Sequence, residues 1–367
     1  MRVAPGLEPW LDNELDELGL HGKTVPGGVE LRASTEQLWL IHRDCRLVES
    51  VRARLRSFGA RTFDGLVEGL KRLPWHAYLN RSVSLNVSVT CHRSRLWHSD
   101  AVAERVRMVL APYVAGPDVA NGDTTQTVFV RITGDIVQVS IDASGELMHR
   151  RGHRTFVGTA PLRETLAAAL VRMVDLPLLG TPALWDPFCG SGCLALEWLD
   201  KKLGVAAGRD RLFAFEQWPI HDAAAYGQWL PGRPLPAPRP LVCFGSDIDS
   251  SVLVSAESNA KRHGLESHCN WLHGDFESFV DRIPVGACIL SNPPYGSRLG
   301  DKRSYMRLMQ RLEKILARRR DIRPAVILVP LPCKPWQPTL EWQPVAEFYN
   351  GGLRVQALRL GGVQSGG

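Results

Sequence analysis

Asn292, Pro293, Pro294 and Tyr295 close the apolar run "ACILS" at residues 287–291. Proline has no backbone N–H to give a sheet ladder, so a strand must stop there. The tetrad sets a side-chain amide, a stiffened carbonyl and a flat ring within four residues. Two readings fit: a rigid turn, or a site where those groups converge on one planar ligand. Three other apolar runs end in polar or glycine-rich tips. "ALWDPFCGSG" carries Asp186, Gly190 and Gly192, "VCFGSDIDSS" carries Asp247, Ile248 and Asp249, and "WLHGDF" carries Asp275 and Phe276.

Gly190 and Gly192 would let the backbone approach a ligand closely, and the helix behind them favours negative charge at its N-terminus. The loop lacks the third glycine of G-x-G-x-x-G and the Gly-Lys-Ser/Thr of a triphosphate loop, which counts against both of those sites. A carboxylate at Asp247 can accept hydrogen bonds from two ribose hydroxyls, with Ile248 packing on an adenine and Asp249 capping the next helix. Asp275 is placed to accept from the adenine amino group. Taken singly, each acid reads as a helix cap or a surface charge. Three in strand order read as a site for an adenosine-bearing ligand.

These tips need a scaffold. From about residue 162 onward, strand, tip and helix alternate after the helix "RETLAAALVRMVDL", which specifies a parallel α/β sheet with functional residues at the carboxyl ends of its strands. "WPIHDAAAYGQWLPGRPLPAPRP" has too many prolines for a sheet element and reads as a loop insertion, with no role assignable to 216–240. Upstream, Leu7, Leu11, Leu15 and Leu18 mark a helix, "GGVELRAS" a short strand and "TEQLWLIHRDCRL" a second helix. Residues 61–145 hold the helix "FDGLVEGLKRL", a strand alternating at Val83, Leu85, Val87 and Val89, a helix capped by Ser99 or Asp100, and the strands "TVFVRIT" and "IVQVSID". That alternation predicts a sheet with one covered and one open face. "LMHRRGHRTFVGTAP" reads as a connector whose arginines either meet phosphate or are solvated.

A chain of 367 residues, 44% hydrophobic and 22% charged, has the composition of a soluble globular protein with two or three domains. No stretch is long and apolar enough to span a bilayer and the N-terminus has no apolar core of a signal peptide, so the expected location is cytoplasmic. Eight scattered cysteines without a C-x-x-C pair read as reduced thiols, and Cys189 and Cys193 as small buried residues rather than metal ligands. The net charge of +6 is uneven. Residues 43–107 hold thirteen basic and six acidic side chains, and residues 298–323 hold ten and three. Two such stretches suit a polyanion, the other reading being two solvated helix faces.

Over residues 163–300, the ordered set "DPFCGSG", "GSDID", "GDF", "NPPYG" resembles the class I S-adenosylmethionine-dependent methyltransferases that act on exocyclic amines of nucleobases. More narrowly, "APGLEPWLDNELDELG", "VSIDASGELMHRRGHR", "APLRETLAAAL" and "NPPYGSRL" resemble the THUMP-domain RNA methyltransferases, a group that includes bacterial ribosomal RNA guanine-N2 methyltransferases. The resemblance implies an α/β fold: an N-terminal ferredoxin-like segment at 1–60, a THUMP RNA-binding domain at 61–150, a linker at 151–162, and a Rossmann-like methyltransferase domain with a mostly parallel sheet at 163–367. It implies S-adenosyl-L-methionine held by Asp186, Pro187, Phe188, Gly190, Gly192, Asp247, Ile248, Asp275, Phe276 and Asn292. It implies catalysis by Asn292, Pro293, Pro294 and Tyr295, with RNA as partner and neither membrane nor metal.

An exocyclic amine is a poor nucleophile because its lone pair is delocalised into the ring. If the Asn292 side-chain oxygen accepts one N–H and the Pro293 carbonyl the other, the nitrogen gains electron density and turns towards the methyl group. Tyr295 would stack on the base, and the prolines would keep the acceptors from relaxing away. Guanine N2 in 23S ribosomal RNA is the first reading, with transfer RNA next and adenine N6 in RNA or DNA as the alternative base. A catalytically silent RNA-binding protein is the alternative of another class, against which the intact tips argue.

Overall fold

The computed structural model describes residues 1–115, 125–151, 162–174, 183–230, 241–295, 302–331 and 336–361. The chain begins with α1 (Glu8–Glu17), β1 (Lys23–Val25), β2 (Gly28–Glu30) and α2 (Thr35–Asp44). Next come β3 (Arg52–Gly59), α3 (Phe63–Lys71), β4 (Ser84–His92), α4 (Ser99–Leu110), β5 (Thr125–Thr133) and β6 (Ile136–Asp142). They lead to α5 (Glu164–Val174), β7 (Ala183–Asp186), α6 (Cys193–Lys202) and α7 (Ala223–Trp229). The remainder is β8 (Val242–Asp247), α8 (Ser250–His263), β9 (Cys269–His273), β10 (Cys288–Ser291), α9 (Lys302–Arg318), β11 (Ala325–Pro330), β12 (Gln343–Asn350) and β13 (Leu353–Leu360). These elements form two compact units. One comprises residues 50–147 and 211–233 with Met1, and the other residues 2–49, 148–210 and 234–367. Among the described residues no helix is long and apolar enough to cross a membrane.

The smaller unit is built on a four-stranded sheet in the order β3-β6-β5-β4, with β4 and β5 parallel and the other pairs antiparallel. Val128, Val130 and Ile132 of β5 and Val137, Val139 and Ile141 of β6 are buried on one face, while Phe129, Ser140 and Gln138 of the other face stay partly open. The buried sides of α3, at Leu66 and Leu70, and α4, at Val102, Val106 and Leu110, supply the rest of this core. The expected cap of α4 is corrected. The helix starts at Ser99, and His98 is its N-cap because its Nδ1 accepts the Ala101 N–H at 3.3 Å.

Residues 213–220 are stitched to this same unit. The Phe215 N–H donates to the Ala143 carbonyl at 3.0 Å and the Ile220 N–H to the Ala77 carbonyl at 3.1 Å. Trp218 Nε1 donates to Gln126 Oε1 at 3.0 Å, and Phe215 is buried. The first part of the insertion is therefore a packed element of the small unit. Residues 231–240 lie outside the described residues.

The larger unit has a seven-stranded sheet in the order β12-β13-β11-β10-β7-β8-β9. Its first five strands in sequence, β7 to β11, run parallel to one another, and β13 and then β12 add antiparallel at one edge. β7, β10 and β11 are buried almost throughout, as expected of parallel strands covered on both faces. This is the mostly parallel sheet expected from the alternating tips.

The leading segment belongs to this unit. Glu14 is buried and accepts the backbone N–H groups of Arg46 and Leu47 at 3.1 and 3.0 Å. Arg172 of α5 reaches Glu17 at 2.6 Å and Asn13 at 2.7 Å. Glu197 of α6 is buried between Arg46, at 2.8 Å, and Arg151, at 3.2 Å. These contacts correct part of the charge reading. Arg46 and Arg151 are interior ion-pair partners, and Arg43 is buried beside Asp44, so none of the three belongs to a polyanion-facing surface or a solvated linker.

Candidate active site

β7 and β10 are neighbours in the sheet, and the order of connection reverses between them, which makes this the switch point where open α/β sheets bind ligands. The Asp186 loop leaves from one strand and the Asn292 tip from the other. A hydrogen bond joins them: Ser291 Oγ donates to Asp186 Oδ1 at 2.9 Å, and the Phe188 N–H donates to the same oxygen at 3.2 Å. Burial pushes the Asp186 carboxyl up to about 7 despite these two donors, and the nearby Asp247 carboxylate adds to the rise.

The glycine loop is held to β8. The Gly190 N–H donates to Asp247 Oδ2 at 3.0 Å and the Cys189 N–H to the Ser246 carbonyl at 3.0 Å, while Ser246 Oγ donates to the Pro187 carbonyl at 3.2 Å. The two glycines differ in function. Gly190, at φ +51°, has open space where a side chain would project, which suits close approach by a ligand. Gly192 makes room for Trp271, since a Cβ there would lie 2.8 Å from the indole, and Gly245 does the same at 2.5 Å.

Asp247 also accepts the Asp249 N–H, on Oδ1 at 3.1 Å, so one oxygen braces each side of the β8 tip. Ile248 is 76% exposed, an apolar side chain presented to solvent beside that carboxylate. Asp249 caps α8 as expected, accepting the Ser251 N–H at 2.9 Å and hydroxyl at 2.6 Å, and those bonds hold its carboxyl below the usual range. At the third tip Asp275 accepts the Glu277 N–H at 3.0 Å and pairs with Arg311 of α9 at 2.7 Å. Partial burial would raise its carboxyl, but Arg311 and that N–H outweigh it and hold it low. Phe276 is buried and meets Phe188 edge to face at 5.0 Å.

At the β10 tip, Asn292 Oδ1 is buried without a hydrogen-bond partner. Such an acceptor is costly to leave unmade, so its lone pairs are available to a ligand. Pro293 is buried, Pro294 and Tyr295 are half-buried, and Gly296 lies outside the described residues. Asn350, at the end of β12, donates from Nδ2 to the Tyr295 hydroxyl at 2.9 Å, which ties the ring to the far edge of the sheet. The sequence reading missed Ser291, Trp271, Arg311 and Asn350. Only Asn350 carried a signal, the "NGG" of a hairpin turn.

α9 carries the second basic stretch. Arg303, Arg307, Lys314 and Arg318 are exposed, whereas Arg311 is bound to Asp275 and Glu277. Arg319 is structural: it forks onto Asp321 and donates to the carbonyls of Val280 at 2.6 Å and Ile283 at 2.9 Å.

Residues 151–330 match the family model described as RMKL-like, methyltransferase domain. A ribosomal RNA large subunit methyltransferase K/L of Methylococcus capsulatus is 31% identical over 332 residues, covering 86% of this chain and 45% of that protein. The chain thus spans about half the length of the K/L relatives it matches. A candidate RNA methyltransferase of Synechocystis sp. is 30% identical over 332 residues, covering 86% of this chain and 84% of its own. In structure, SMU.472, a candidate methyltransferase complexed with SAH, aligns with a TM-score of 0.82 over 100% of this chain and 98% of that one, at 23% identity, and so attests to the fold. With its four tips gathered along the carboxyl edge of one such sheet and a relative at this identity matched over 84% of its length, the chain belongs to the RMKL-like methyltransferase family.

Proposed function

We propose that this protein transfers a methyl group from S-adenosyl-L-methionine to the exocyclic N2 of a guanine in RNA, in 23S ribosomal RNA first of all. The observation that carries the reading is the buried, unpartnered Asn292 Oδ1 next to Pro293 at the sheet's switch point. The relatives' names support RNA as the acceptor class.

The residues fit the donor. Gly190 leaves open space beside a carboxylate, Asp247 keeps lone pairs for ribose hydroxyls, and exposed Ile248 offers an apolar surface for the adenine. Asp186, Pro187, Phe188, Gly192, Asp275 and Phe276 frame the same edge, with Asp275 kept ionised as an acceptor for the adenine amino group. When bound, the donor supplies an electrophilic methyl group on a cationic sulfonium. Asn292 Oδ1 and the Pro293 carbonyl would each accept a hydrogen bond from one N–H of the amine, raise its electron density and fix the direction of its lone pair. Tyr295, tethered through Asn350, sets the plane of the base. No side chain of the tetrad has to become a covalent nucleophile.

The small unit, residues 50–147 with 211–233, takes the THUMP role of holding RNA, residues 2–49 that of the leading ferredoxin-like segment, and the rest of the larger unit that of the catalytic domain. The setting is the cytoplasm. The test is nucleoside mass spectrometry of RNA from a strain lacking the gene, incubated with the protein and isotopically labelled donor, with ribosomal and transfer fractions kept apart. Label in N2-methylguanosine of the ribosomal fraction is the expected result. Label in N6-methyladenosine, or in the transfer fraction, would replace the base or the substrate, and no label despite donor binding would overturn the reading.

A further inference from the structure

We infer that the loop His92–His98 of the small unit is a contact for single-stranded RNA, with Trp97 stacking on an unpaired base and Arg93 and Arg95 meeting the flanking phosphates. The inference rests on the RNA reading above and adds the place where the strand is held.

Trp97 is 74% exposed. An indole left in water forgoes the burial that usually places tryptophan in a core, so its position calls for an occupant. Its exposure does not come from a slack backbone. The Gly134 N–H donates to the His92 carbonyl at 3.2 Å, the Arg95 N–H to Asp135 Oδ1 at 2.8 Å, and the Asp135 N–H to Ser94 Oγ at 3.1 Å. Leu96 is buried as an anchor between the exposed Arg95 and Trp97. Arg93 sits at φ +48°, an unfavourable region for a side chain of that size, which the surrounding bonds must hold in place.

Charge selects the partner. His92, Arg93, Arg95 and His98 are all exposed in the same seven-residue segment as the indole, the His98 ring lying 5.5 Å from it, and the segment contains no acid. Asp135, the nearest carboxylate bonded to the loop, is engaged by Arg61 at 3.2 Å. Among the described residues the guanidinium groups of Arg93 and Arg95 form no ion pair. A rigid aromatic platform flanked by unpaired cations matches how proteins take unstacked bases: the ring binds any base face, and the arginines follow the backbone. A protein partner would favour an apolar surround for the indole, which this loop does not provide.

The test uses the full chain with Trp97→Ala, Trp97→Phe and the double variant Arg93→Ser/Arg95→Ser. The probes are a fluorescent twelve-nucleotide single-stranded RNA and the same sequence as a duplex, titrated between 50 and 200 mM salt. Trp97→Ala should weaken single-strand binding by about five- to a hundredfold, and Trp97→Phe by less than about threefold. The double variant should flatten the salt slope by about 1.4, from two phosphate contacts on a single strand. An unchanged urea-unfolding profile in every variant shows that the small unit, which carries the loop, is intact. Trp97→Ala within twofold of the parent, or an equal loss on duplex and single strand, would overturn the inference. If the parent binds RNA through Trp97 but methylates none, the function falls and the contact stands. If it methylates RNA equally well without the indole, the contact falls and the function stands.

Discussion

Asp186→Asn should stabilise the protein at pH 8 far more than at pH 5. The carboxyl is buried and its value is raised from 3.8 to about 7, chiefly by loss of hydration. The sign follows from proton counting. In the unfolded chain the group ionises near 3.8, in the fold only near 7, so between those values the native state holds the extra proton. Stability therefore falls as pH rises through that window and levels off above it. At about 1.4 kcal/mol per unit of pKa difference, the full cost above pH 7 is about 4 kcal/mol, and about 2.5 kcal/mol of it develops between pH 5 and pH 8. Asparagine keeps an acceptor for the Ser291 hydroxyl and the Phe188 N–H but carries no charge. Urea unfolding of both proteins at both pH values gives a difference of differences that cancels every other titrating group. A variant advantage that is the same at pH 5 and pH 8, or smaller at pH 8, would refute the argument. The same ionisation gives the site a negative charge for a cationic donor, so the variant should also bind S-adenosyl-L-methionine more weakly at pH 8.

Asn292→Ala should lower methyl transfer by about 10²- to 10³-fold, the usual effect of losing one preorganised polar contact to the reacting group, with donor affinity within about threefold; equal losses in both would reassign the residue. Asn350→Ala removes the amide bond to the Tyr295 hydroxyl and should cut kcat by about tenfold with donor affinity unchanged, and adding Tyr295→Phe to it should cost little more, since both remove that bond. Additive losses would mean the two act separately. Glu197→Ala leaves Arg46 and Arg151 buried without their carboxylate and should destabilise by about 3–5 kcal/mol in urea unfolding, whereas a loss under 1 kcal/mol would show that the arginines find water.

The tips were legible because strand ends in a parallel sheet are marked by residues with fixed backbone consequences. Proline stopped β10, glycine opened the turn after β7, and acids closed β8 and β9. The hidden parts were those where side-chain type and environment disagree. β3 carries Arg52, Arg54 and Arg56, which read as a charge run, yet it pairs with β6 along its length, and Arg52 lies 3.5 Å over the Phe129 ring. β12 and β13 form an antiparallel edge with Pro344, Glu347, Arg354 and Gln356 in it, so alternation is blurred. Partners distant in sequence were out of reach altogether. Nothing local announces that Tyr295 bonds Asn350, 55 residues on, or that Gln126 bonds Trp218, 92 residues on.

The exchange of segments also constrains how the protein can be divided. A cut after residue 150 looks natural from the sequence, where a basic connector leads into the first strong helix of the methyltransferase part. It would take Glu14, Glu17 and Arg46 away from Arg172 and Glu197, leaving Arg172 buried without either carboxylate and Glu197 with Arg151 as its one remaining cation of the two. The reverse fragment, residues 50–147, would lose Phe215 and Trp218, so Gln126 would keep its bond to the Asp142 carbonyl but lose the indole donor on its oxygen. Removing one member of a buried charged pair costs more than the pair contributes, because the remaining charge stays dehydrated. The catalytic unit consequently depends on residues 2–49, which supply none of its tip residues, and the small unit depends on an excursion that starts at Arg211, beyond the end of α6. Each part of the site is thus carried by a fold whose interior charges come from elsewhere in the chain, and a fragment lacking them should unfold before it loses any residue that touches donor or base.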